Sequence, residues 1–140
     1  MKSKLVMAAV AAALGLPPTA GHAAMTKAQY NAEKERISAE YDTAREKCKV
    51  FGGNARDICL AQAKGNNLVA RAELDERNEP SPKARYNVSI VKAEAEYDVA
   101  REKCDERTGE ARNACLAEAK AALARGKANA NQDQQARQAR

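Results

Sequence analysis

Cysteine is the residue best placed to do chemistry in this chain, and the spacing of its four copies favours cross-linking over catalysis. Cys48 and Cys59 are equidistant from a point between Gly53 and Asn54, and Cys104 and Cys115 from one between Gly109 and Glu110. In an antiparallel helical hairpin, residues equidistant from the turn sit at about the same height on facing helices. Bridges Cys48–Cys59 and Cys104–Cys115 are therefore expected. Alanine at Ala44, Ala55 and Ala63, and at Ala100, Ala111 and Ala119, lets facing helices come closer than the usual 8 to 10 Å or so. That brings them toward the roughly 4.4 to 6.8 Å between Cα atoms that a disulfide needs. Four cysteines allow three connectivities, so bridges between the two pairs stay open as the alternative. A zinc site would place its thiolates in pairs about two to four residues apart. A redox site would show C-x-x-C, and a haem site C-x-x-C-H; neither motif occurs.

Nothing else in the sequence assembles into a catalytic set. Glu33 and Glu35 are two apart and diverge on a helix, whereas catalytic carboxylates converge. No nucleophile with its base, phosphate loop or open metal site is recognisable, so the chain is read as a non-enzyme with no cofactor. The other conspicuous residues are duplicated. Asp42 with Arg45, and Asp98 with Arg101, are three apart and are expected to pair on a helix surface for a few tenths of a kcal/mol or so. The same four residues are the candidate interaction surface.

These side chains belong to an internal repeat. Ala39 to Lys64 aligns without a gap on Ala95 to Lys120, 56 positions on, with 17 of 26 residues identical. A repeat at such a period is the mark of a repeated supersecondary unit. Residues 26 to 51 lack Pro and Gly and are rich in strong helix formers. Tyr30, Ile37, Tyr41, Ala44, Cys48 and Phe51 recur at the spacing of a helix seam, repeated as Tyr86, Ile90, Ala93, Tyr97, Ala100 and Cys104. Thr26 with Gln29 reads as a capping box, and Ser81 before Pro82 as a helix start. Gly52-Gly53-Asn54 and Thr108-Gly109 stop the first helix of each copy.

Second helices are expected from about Ala55 to Arg77, with Leu60, Ala63, Ala70 and Leu74 on one face, and from about Glu110 to Lys127. Gly65-Asn66-Asn67 is the expected weak point of the former. Pro80 and Pro82 separate the copies. The fold class is therefore all-α: two tandem antiparallel helical hairpins, residues 24–79 and 80–127, each with one disulfide. They either stack as an up-down-up-down four-helix bundle or hinge at Pro80 to Pro82. Residues 128–140 lack large apolar side chains and are expected to be a disordered tail.

The N-terminus has the design of a secretory signal. Lys2 and Lys4 precede an apolar run from Leu5 to Leu16, Pro17 and Pro18 break it, and Gly21-His22-Ala23 suits cleavage after Ala23. The run is 12 residues, well short of the roughly 20 that span a bilayer, so no stable membrane insertion is expected after cleavage. Cleavage would remove His22, the only histidine, and leave 22 basic residues against 19 acidic ones. A charge so mixed gives no basic face for nucleic acid. An oxidising compartment also suits the cysteine bridges.

The two copies of Tyr-Asp-x-Ala-Arg-Glu-Lys-Cys, each followed by Ala-Arg-x-x-Cys-Leu-Ala-x-Ala-Lys, resemble a family of small exported proteobacterial proteins rich in Ala, Lys and Glu. Some of its members are labelled TolA-like cell-envelope biogenesis proteins. The resemblance runs from about Met25 to Lys127; it implies a periplasmic location and brings no activity with it. The expected function is that of a structural or interaction protein of the cell envelope, with an envelope or periplasmic protein as partner. A stress chaperone holding unfolded clients, and a binder of a small ligand, a metal or an anionic envelope polymer, are the alternatives.

Overall fold

A computed structural model describes residues 25–139; the expected signal peptide, residues 1–23, and its cleavage site lie outside them. The described chain forms four helices: α1 (Lys27–Cys48), α2 (Gly53–Asn78), α3 (Pro82–Cys104) and α4 (Gly109–Gln138). Their starts follow local chemistry. The Thr26 hydroxyl accepts from the Gln29 amide at 3.2 Å while the Gln29 side chain accepts from the Thr26 amide at 2.9 Å, the reciprocal capping box. Ser81 Oγ accepts from the Ala84 amide at 3.0 Å, with Pro82 in the first turn. At the two hairpin bends the chain reverses through Gly53 (φ 53°) and Gly109 (φ 57°). This left-handed backbone costs other residues about 1 to 2 kcal/mol.

Each helix packs only on its sequence neighbours: α1 on α2, α2 on α3, and α3 on α4. A four-helix bundle would close by setting α1 against α4, and no such contact forms among the described residues. The helices instead stand in chain order as an open layer. The hairpins are not hinged apart, because the α2–α3 interface is the most extensive of the three. Lys92 meets Glu73 at 2.7 Å across it, and the Asn54 side-chain amide donates to the Glu102 carbonyl at 2.9 Å. Gly65 turns out to be a contact point, not a weak one: α2 runs through it unbroken, and Ala95 comes so near that a Cβ added there would lie 3.0 Å from the Ala95 Cβ.

The core is thin. Among the described residues its buried side chains are Ile37, Leu74, four alanines and two cysteines. Only Ile37 and Leu74 are large, each contributing roughly 1.5 to 3 kcal/mol by burial. Cross-links therefore matter more than in a larger domain. Both bridges form as expected, Cys48–Cys59 and Cys104–Cys115, each with Cα atoms 5.6 Å apart, and each contributes about 3 kcal/mol.

Two expectations need correction. Phe51 is not part of the α1 seam, because α1 ends at Cys48 and Phe51 lies in the bend, exposed. Nor is the chain disordered from residue 128, since α4 continues to Gln138 and buries Ala130. The register explains the extra turns. With Cys115 beside Cys104 and Gly126 beside Ala93, α3 needs residues 127 to 137 of α4 to cover its own first turns. Pro82, Tyr86 and Ser89 accordingly line a cleft with Ala130, Asp133 and Arg137. Alanine is small enough to bury there, and Ala, Gln and Arg favour helix.

Candidate functional site

The antiparallel order puts both bends and both disulfides at one end of the layer, and the starts of α1 and α3 at the other. Near the bend end, α2 forms the floor of an open groove whose walls are α1 and α3. Its volume is about 400 Å³, and it is lined by Tyr41 and Arg45 of α1, Leu60, Ala61 and Lys64 of α2, and Asp98 and Arg101 of α3, together with Asp57 and Glu102. Three of the four residues singled out from the repeat, Arg45, Asp98 and Arg101, thus converge from different copies. Asp42 does not join them: it is exposed and is not part of the groove lining.

The expected pairs of Asp42 with Arg45 and Asp98 with Arg101 do not form. The Arg45 guanidinium lies over the Tyr41 ring, 5.5 Å from its centre. Arg101 bonds Glu102 at 2.8 Å, and the Glu102 carboxylate, with Asp98 and Tyr97 adding less, raises the guanidinium above its ordinary value. Asp98 faces Lys64 of α2 at 3.7 Å. Its counterpart Asp42 sits on α1, an outer helix of the layer, where no such lysine arrives. Lys64 and the floor residues Leu60 and Ala61 were the part of this site that residue spacing along one helix missed.

The duplicated Arg-Glu-Lys runs also have a local role. Arg45 and Lys47, and Arg101 and Lys103, fall in the last turns of α1 and α3, where cations offset the helix dipole. The other resolved pKa shifts trace to surface hydrogen bonds. The Arg36 guanidinium holds the Glu33 carboxyl below its usual value, and Tyr30, which donates to Asp75 at 2.6 Å, is held above its own. Among the described residues no cluster of His, Cys, Asp or Glu has the makings of a metal site, and no cysteine is free. No helix among them is long and apolar enough to cross a membrane.

No protein-family model, curated protein or solved structure matches this chain.

Proposed function

We propose that this protein is a non-enzymatic structural or interaction protein of the bacterial periplasm, and that it holds an envelope partner in the groove over α2. One observation carries the reading: Arg45, Lys64, Asp98 and Arg101, from both copies and three helices, are gathered around a single groove beside the two disulfides. Cross-linked hairpins hold those side chains in fixed register, which lowers the ordering cost of binding. The lining carries both signs of charge and the floor is Leu60 and Ala61, a surface suited to a helix or strand carrying both signs of charge beside an apolar ridge. A holdase is the less favoured reading. Exposed large apolar side chains are limited to Val50, Phe51 and Leu68 among the described residues, and client binding needs a broader patch.

The test is photocrosslinking in living cells from position 57, in the groove lining, with Asp57 replaced by a photoreactive phenylalanine analogue. A discrete adduct is expected, reduced about tenfold or more by the paired reversal Arg45→Glu and Arg101→Glu. Absence of any adduct from abundant, oxidised protein would overturn the proposal, as would an adduct indifferent to the reversal.

A further inference from the structure

The two bends differ in a feature the fold does not require. The bends share two backbone hydrogen bonds, to which the second adds one from the Glu106 amide to the Lys103 carbonyl at 3.4 Å: Lys49 and Asp105 amides donate to Glu46 and Glu102 carbonyls at 3.1 and 3.2 Å. Phe51 and Arg107 amides donate to Cys48 and Cys104 carbonyls at 3.1 and 3.0 Å. Both use a left-handed glycine and a bridge with 5.6 Å between Cα atoms. The side chains nevertheless differ. Where the second bend has Asp105-Glu106-Arg107, the first has Lys49-Val50-Phe51.

Val50 is 81% and Phe51 49% exposed. The polar bend shows that this geometry forms without apolar residues, so turn formation does not account for Val50 and Phe51. Exposing them to water has a cost that no contact among the described residues offsets.

We propose that Val50 and Phe51, with Lys47 and Lys49 beside them, form a docking knob for a second protein that offers an apolar socket rimmed by carboxylates. This rests on the reading of the chain as an interaction protein and adds a contact separate from the groove. Two adjacent apolar side chains on a stapled bend suit a concave pocket, where a few anchors dominate binding. The lysines call for acidic groups at its rim; the Lys49–Glu46 pair, 2.7 Å and exposed at both partners, is weak enough to exchange.

A bilayer suits the knob less well, since on the neighbouring bend at the same end Asp105, Glu106 and Glu110 balance Lys103, Arg107 and Arg112 and add no net attraction for anionic headgroups. A second copy docking bend to bend would set Lys47 and Lys49 against themselves, and one bend is far smaller than the roughly 800 Å² per partner of a stable interface.

The test places the photoreactive phenylalanine analogue at position 51 of the full exported chain in cells, with a matched probe at position 107. A discrete protein adduct is expected from position 51 and not from 107. It should be lost with Lys47→Glu plus Lys49→Glu, and separately with Val50→Glu, a change the bend tolerates because its sister carries Glu106; circular dichroism and intact bridges verify folding. Peptide mapping should place the crosslink in an apolar pocket flanked by Asp or Glu.

Equal adducts from both positions, an adduct to lipid or to a second copy, a partner without such a socket, or no adduct would each overturn it. If position 57 crosslinks while position 51 is silent, the knob fails and the groove stands. If both are silent, both fail.

Discussion

Tyr30 and Tyr86 hold the same position in the two copies, yet Tyr30 bonds a carboxylate, Asp75, where the second copy has Asn131. That hydrogen bond, then partial burial and the charges of Asp75 and Glu79, hold the Tyr30 phenol above its ordinary value of 10.0. A group raised on folding stabilises while protonated. Its contribution is complete below about pH 10 and is lost as pH rises through the higher folded value. Tyr30→Phe should therefore lower the melting temperature at neutral pH, and the gap from the parent should narrow above about pH 10 in thermal melts. Gly126 gives a second residue-level test, because an added Cβ would lie 2.7 Å from the Ala93 Cβ, which is fixed to its backbone. Gly126→Ala gains up to about 1 kcal/mol of helix propensity, but overpacking costs about 1 to 3. A net fall of a few degrees in melting temperature is expected. At this scale the caps and bridges were legible because their partners are near in sequence. The partner of Asp98 was not, because Lys64 arrives from another helix.

The two hairpins are tied unequally. Besides its disulfide, the first has Tyr30 on Asp75, Arg71 on Ser38 at 2.9 Å and Asn67 on the Ile37 carbonyl at 3.3 Å. The second has Lys127 on Glu94 at 2.7 Å and, at the bend itself, Arg112 on Asp105 at 2.7 Å, so fewer side-chain bonds hold the shaft of α4 than that of α1. Both bridges close loops of equal length, so their effect on the unfolded chain is equal at about 3 kcal/mol. Replacing Cys104 and Cys115 by alanine should then free α4 more than replacing Cys48 and Cys59 frees α1. Amide hydrogen exchange would read this as loss of protection in α4 against retention in α1; equal losses would refute it. Helix starts were legible in the caps and glycines. The far end of α4 was not, because large apolar residues signal burial and here alanine suffices.

The repeat was plain in the sequence, but whether the layer closed was not, since a seam specifies that a helix has a neighbour and not which one. The open arrangement explains how the copies diverged. Val91 and Val99 of α3, and Val69 of α2, lie at the α2–α3 interface, while their counterparts on the outer helices are Glu35, Thr43 and Arg125, all exposed. Polar outer faces stop an array of repeats from adding further copies. Glu35→Val, Thr43→Val and Arg125→Val together should remove that stop and give concentration-dependent association in sedimentation, with the parent unchanged.

Because each bridge spans a bend, it also governs how the molecule yields to mechanical load. Pulled from its two ends, the chain would peel from the side opposite the bends, and tension would pass through the sulfurs without entering residues 49–58 or 105–114. Each enclosed stretch spans 11 steps of backbone, so optical tweezers should record an extension shorter by roughly 30 to 35 Å per intact bridge than after reduction.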